Sequence, residues 1–424
     1  MRNRRGSFTV AIVLIFSAML IMTGAVLSAA GNMAVFSTAE DFGRLWGTSI
    51  LAEYDLNLKD RYGLFGFLGD EVTVEKKLDS LAVYTFGEKK YINYEGSACS
   101  SLKQYSLAEP ENLKQQIEEA VRFGNKPCGL NKKGGKTGQM TEDAASCGNA
   151  GNRSITSRWI LDGLPSAGAR TETDIAGIVS KIRDGAGIRS LIGSSLVNQY
   201  IFTYFQHDGG TAELGDTFLQ NEVEYILTGN PSDAGSEKKV RKKLTLLRNL
   251  LNLTYLYGSS EKREAAMTVA SVMTPGPEAA VTQGVLLELW AYAEAENDVR
   301  LLYDQKTVPL LKQDQNWALT LENAMADTET AQQKYVNPPV TEGQNYVDYL
   351  RIMINAVPEK TRLLRIMDLI QINMKYLYCD CFLLEDYYAG VQFTLQVNGE
   401  KHEFTETYDR QIAEENAETG KLSG

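Results

Sequence analysis

Between Phe8 and Ala30 the chain carries no charged residue, and no other stretch constrains it as much. At about 1.5 Å per helical residue, the run reaches across a hydrocarbon core of about 30 Å. Arg2, Arg4 and Arg5 precede it, and no Lys or Arg follows until Arg44. That asymmetry predicts a cytoplasmic N-terminus and a body on the outer side of the cell membrane, with a single pass between them. The rival reading is a secretory signal cut after Ser28-Ala29-Ala30, whose small residues suit a signal peptidase. The run is longer than the usual apolar core of such a signal, about 7–15 residues. Its pattern also continues: Val35, Ala39, Phe42, Trp46, Ile50 and Tyr54 recur every three or four residues. This predicts one amphipathic helix continuing to about Leu58. A retained anchor is the favoured reading and a removed signal the alternative.

The 424 residues leave room for one large or two modest domains outside the membrane, with enough apolar content for a proper core. A net charge of −11 with thinly spread basic residues argues against nucleic acid as a partner. Of the five cysteines, Cys128 and Cys147 bracket a Gly- and Lys-rich stretch. They are a candidate disulfide if the compartment is oxidising, with reduced, unconnected cysteines as the other possibility. Cys379-Asp380-Cys381 lacks the second ligand pair that a zinc site needs.

Periodicity divides the chain into a basic N-terminus and anchor (1–30), a stalk helix and turn (31–65) and a small α/β segment (66–124). A Gly-rich excursion (125–170), a helical body (171–378) and a β-hairpin with a polar tail (379–424) follow. "LAVYTFGEKKYINYEG" and "CSSLKQYSL" are rich in β-formers and predict two or three strands. The body reads as successive amphipathic helices stopped by Gly or Pro. Near the end, alternation around Asn398-Gly399 predicts a hairpin. The expected fold class is α+β: a transmembrane and stalk helix, a mostly helical extracytoplasmic body, and a minor antiparallel sheet from early and C-terminal strands.

Catalytic patterns are sparse. "GLNKKGGKT" misses the phosphate-loop spacing by one residue and follows no strand. The two histidines, His207 and His402, lie in no nucleophile context. Glu294 and Asp298 sit four apart on one helix face, a spacing that serves acid–base pairs but more often a structural bond. Together with Arg362, Arg365 and Asp368 they read as structural polar networks. No catalytic residue, metal or cofactor is expected.

"SILAEYDLNLKDRYGLFGF", "EVEYILTGN", "LLRNLLNLTYLY" and "LLELWAYAEAENDVRLLYDQKTVPLLK" resemble signatures of an uncharacterised family from Gram-positive bacteria, as does the C-terminal "YVDYLRIMI" with "RIMDLIQINM". That family is similar at its N-terminus to TadE/TadG-type pseudopilins and tends to accompany tight-adherence (Tad/Flp) pilus and type II secretion-like machinery. The resemblance implies a non-enzymatic, membrane-anchored accessory subunit with pilus or secretion-system subunits as partners. Gly6-Ser7 matches a prepilin cut site, but the fifth residue after the cut is Ala11 where filament-forming pilins carry Glu. The departure favours an anchored, TadG-like role over polymerisation. The alternatives are a signal-cleaved secreted or surface-binding protein and, last, an extracellular hydrolase using carboxylates.

Overall fold

The computed structural model describes residues 5–87, 91–123, 160–167, 173–208, 216–326 and 336–408, with side chains from Thr9 onward. The chain divides into two units. A terminal unit combines Met1–Asp55, Phe65–Asn112 and Glu385–Gly424, and a central unit combines Leu56–Leu64 with Leu113–Leu384.

The terminal unit begins with α1 (Arg5–Leu51), one unbroken helix; the short α2 (Leu56–Tyr62) that follows belongs to the central unit. The three-to-four-residue period of the stalk is realised as burial: Ala39, Trp46, Ile50 and Leu51 are inside, while Asp41, Arg44, Leu45 and Ser49 face out. The helix stops at Leu51, short of the expected Leu58. The chain turns at Ala52–Tyr54, and the Asp55 N–H donates to Gly66 O, which begins a different path. A two-residue strand, β1 (Phe67–Leu68), pairs antiparallel with β3 (Tyr387–Tyr388). The main sheet has the order β2 (Tyr94–Cys99), β4 (Gly390–Val397), β5 (Glu400–Thr407), all antiparallel. An early strand thus pairs with the C-terminal hairpin, whose turn places Asn398 and Gly399 at positive φ. Asn and Gly are the residues that tolerate that conformation.

"LAVYTF", expected as strand, is instead the end of α3 (Glu71–Phe86). Two features outweigh its β-formers. Asp70 caps the helix by accepting from Thr73 N, and Val74, Leu78, Ala82 and Phe86 form a buried stripe at every fourth position. "CSSLKQYSL" contributes only its first residue to β2; Ser101 turns at φ 60°, and Leu102–Tyr105 form a 3₁₀ turn.

The helix α4 (Pro110–Arg122) belongs to the central unit from Leu113 onward, and α5 (Ile175–Arg183), α6 (Ile188–Ile192), α7 (Leu196–Tyr204) and α8 (Glu222–Thr228) come after it there. They are followed by α9 (Asp233–Gly258), α10 (Ser260–Met273), α11 (Ala279–Tyr303), α12 (Leu321–Met325), α13 (Tyr346–Asn355) and α14 (Glu359–Leu377). The run from Ile188 to Gln206 is two helices, because Gly193 at φ 73° leaves no room for a side chain beside Asn355 Oδ1. α9, α10 and α11 pack on one another around Leu256, Ala266, Ala270, Leu287, Trp290 and Trp317. Alanines in α10 permit the close approach, and Trp290 meets Trp317 edge to face at 5.8 Å.

Candidate functional site

Two places concentrate the residues that matter: the α1 stem in the terminal unit and the buried ionic groups of the central unit.

The first half of α1 is long and apolar enough to cross a membrane, with a mean hydropathy of 2.6. Val13, Leu14, Ile15, Phe16, Ile21, Met22 and Leu27 all lie more than half exposed. The hydroxyls of Ser17 and Thr23 donate back to the carbonyls of Val13 and Met19, so neither needs a water partner. Gly6, Ser7 and Phe8 stand in the helical backbone of its first turns, and Ala30 sits mid-helix and exposed, with no break at the expected anchor limit.

The second half of α1 is built into the sheet. Gly43 and Gly47 face β5 and β4 so closely that a Cβ on Gly43 would lie 2.1 Å from Phe404 Cζ, and one on Gly47 2.7 Å from Glu406 Cγ. Phe404 stacks on Phe393 at 5.1 Å, and Trp46 meets Phe86 of α3 at 5.2 Å. His402, read from sequence as a hairpin residue beside Glu400 and Glu403, is buried against the stem. Its ring lies 4.9 Å from Phe36 and its Nδ1 3.3 Å from Glu40 Oε1. Strand alternation turns His402 and Phe404 inward while Glu403 and Thr405 face out. The Tyr408 hydroxyl donates to the carbonyl of Leu51 at the helix C-terminus.

In the central unit, Glu294 and Asp298 do meet, but around a cation. Lys312 Nζ pairs with Glu294 Oε1 and lies 2.5 Å from Asp298 Oδ1, and all three side chains are fully buried. That second contact is ionic, without the angle of a hydrogen bond. Arg248, also fully buried, donates from Nε to Asp298 Oδ2 at 3.0 Å and from Nη1 to the carbonyls of Pro309 and Leu310. Glu294 further accepts from Ala318 N and Leu319 N. Two cations and two carboxylates thus form a closed, neutral quartet that fastens the segment 309–319 to α9 and α11. Burial raises the Glu294 carboxyl above its ordinary range, against the pull of Lys312. Burial alone would lower Arg248, but Tyr349 and Asp298 hold it above its usual value.

Arg362, Arg365 and Asp368 share α14 yet have separate partners. Asp368 accepts from Ser166 N and from the Tyr225 hydroxyl at 2.7 Å, and burial raises its carboxyl. Arg365 donates to Ile226 O at 2.7 Å and sits against Gly229, whose positive φ and missing side chain both make room for it. Arg362 bonds Asn198 Oδ1. Burial lowers both guanidinium groups.

Sequence reading missed Glu222 and Glu224, which flank Val223 at the start of α8. Glu222 accepts from Gln206 N and Asn373 Nδ2, and Glu224 from Asp208 N and the Tyr346 hydroxyl. Burial pushes each carboxyl up to about 7. Arg248 and Lys312 were missed too, although each is a lone cation inside an apolar run, "LTLLRNLLNL" and "VPLLKQ". Cys128 and Cys147 and the "GLNKKGGKT" stretch lie outside the described residues. Cys99 is a buried free thiol, pushed up to about 12 by burial and then by Glu71 and Glu75.

No curated protein and no solved structure matches the chain. Residues 151–399, which hold the quartet, both buried glutamates and α14 but not α1, match a family of unknown function, DUF5702. That stretch exceeds half of the sequence, and the chain belongs to this family.

Proposed function

We propose that the chain is a non-enzymatic, TadG-like pseudopilin component of a Tad-type pilus or type II secretion-like apparatus, held in the cell membrane with its body outside. One observation carries the reading. α1 runs without interruption from an exposed apolar half into a half that is keyed by Gly43 and Gly47 into a sheet. Such a helix is anchor and stem at once, and cutting it after Ala30 would sever it between the two. The arginines before the run and the lack of Lys or Arg after it until Arg44 support the proposed orientation. Glu294 and Asp298, the pair on which the hydrolase alternative would have to rest, are engaged by Lys312 and Arg248.

Mass spectrometry of the mature N-terminus tests the reading. A start at Met1 fits an uncut anchor, and a start at Ser7 fits prepilin-type processing with the stem kept. A start at Gly31 would overturn it in favour of a secreted protein. Orientation is checked with a single cysteine at Glu342, exposed in the structure, in a background lacking the native cysteines. An impermeant thiol reagent should label it on intact cells; labelling only after lysis refutes the topology. Deleting the gene should impair pilus or secretion assembly.

A further inference from the structure

We propose that the corner between Trp290 and Trp317 is a binding site for a quaternary, methylated ammonium group. The bare ammonium of Lys262 occupies it in this structure. Lys262 stands in the first turn of α10, and its Nζ lies over the Trp290 ring at 5.1 Å and over the Trp317 ring at 5.7 Å from the centroids. The two indoles cross at 88°, so they make two walls rather than a stack. Both are almost fully buried, while Asp314, whose Oδ1 is 3.6 Å from Lys262 Nζ, is exposed. The walls are fixed. Trp290 Nε1 donates to Leu319 O at 2.8 Å, and Trp317 belongs to the segment 309–319 that the ionic quartet fastens. Lys312 Nζ also lies 5.4 Å from the Trp317 ring, but Glu294 and Asp298 already answer its charge.

Three features of the corner suit a cation other than a bare lysine. The first is hydrogen bonding. A primary ammonium has N–H groups to satisfy, yet those of Lys262 meet no acceptor within hydrogen-bond reach among the described residues, and only 18% of the side chain is exposed. Asp314 Oδ1 accepts from the Tyr255 hydroxyl at 2.6 Å instead. The second is distance. Heavy atoms in contact rest about 3.5–4.0 Å apart, and Lys262 Nζ stands farther from both rings. The excess is about 1.5 Å, the length of one bond between nitrogen and carbon. A methyl group directed at each ring would fill it. The third is position. Ser259 caps α10 by accepting from Lys262 N, and a capping box carries Glu or Gln where Lys262 stands. A cation there faces the positive end of the helix, so α10 gains nothing from it.

A quaternary ammonium has no N–H to satisfy and is held by ring faces and a nearby carboxylate, which is what the corner offers. The group belongs either to a small ligand that displaces Lys262 or to Lys262 itself once methylated. The flexible lysine stem lets a bare ammonium withdraw to water without moving α10.

The test uses the full chain in a maltoside detergent, which carries no ammonium group. Ligand-observed NMR follows titration with tetramethylammonium and with choline. Lys262→Ala, checked by its melting curve, should bind both about tenfold more tightly than wild type, and adding Trp290→Leu should reverse that gain. The neutral isostere of choline, with carbon in place of nitrogen, should bind about tenfold more weakly than choline. Peptide mass spectrometry of wild type from its native membrane separates the two sources. Three added methyl groups on Lys262 assign the ammonium to the side chain; an unmodified Lys262 with binding of the free cations assigns it to a ligand. The proposal is overturned if Lys262 is unmodified and neither chain binds either cation. It is equally overturned if the neutral isostere matches choline, or if a folded Lys262→Ala chain binds no more tightly than wild type.

Discussion

The terminal unit and the central unit solve the same problem, fixing distant parts of the chain, with opposite chemistry. In the terminal unit the fit is steric: glycines on α1 let Phe404 and Glu406 approach, and aromatic rings fill the remainder. In the central unit charge is sealed inside, as the quartet of Arg248, Asp298, Lys312 and Glu294 and as Glu222 and Glu224. Steric fits fail gradually with volume, whereas sealed charge fails abruptly when one partner goes, because the survivor stays desolvated. The difference teaches where each unit is sensitive: the terminal unit to size, the central unit to charge and pH.

The largest effect should come from Lys312→Met. It leaves Glu294 and Asp298 facing each other without their cation and should cost about 3–5 kcal/mol in denaturant unfolding of the full chain. Adding Glu294→Leu should recover part of that loss; a loss below about 1 kcal/mol for the single variant would break the contrast.

Next is pH. Glu222 and Glu224 titrate near 7 in the fold against 4.5 in the unfolded chain. The folded state therefore binds more protons between those values, and stability must fall as pH rises from about 4.5 through 7 and then level off. At 1.36 kcal/mol per pH unit over about 2.5 units, each carboxylate removes on the order of 3 kcal/mol of stability across the range. Melting curves from pH 5 to 8 should show the decline, and Glu222→Gln should reduce its slope by about half, leaving the share of Glu224; a stability that rises with pH over this range contradicts the burial argument.

Smaller is the steric test. Gly43→Ala forces Phe404 to move and should cost about 1–3 kcal/mol, with Phe404→Leu in the same chain restoring most of it. Rescue failing would mean that the close approach is not what the glycine provides.

Smallest is Asp70→Ala, which removes the Thr73 cap and should cost about 1 kcal/mol. Hydrogen exchange should register it in the first turn of α3, and exchange there unchanged from wild type would refute the cap's role.

What could be read from sequence follows the range of the interaction. The Gly229 and Gly258 helix ends and the Asn398-Gly399 hairpin are local, and each appears in the structure where the pattern put it, whereas the stem keeps its period of burial but ends at Leu51 rather than Leu58. "LAVYTF" carries the β-branched and aromatic residues of a strand, but its apolar spacing of four and the Asp70 cap upstream decide for helix. The partners of Glu294 and Asp298 were out of reach for another reason. Arg248 meets Asp298 across 50 positions, and no local pattern marks which apolar-flanked cation answers which carboxylate. His402 was placed by its chain neighbours, while the fold gave it Glu40, 362 positions away.

The bond from Tyr408 to Leu51 spans 357 positions. On a ribosome that adds residues from the N-terminus, the stem emerges first, yet the strands that cover Gly43 and Gly47 come last. Every element of the central unit is synthesised in the interval, so it can complete its packing while the terminal unit still waits for its sheet. Vectorial synthesis makes the stem's lower half a nascent surface left uncovered until β4 and β5 arrive. A chain halted before Gly390 would keep the apolar half of α1 and lose the seat of its other half.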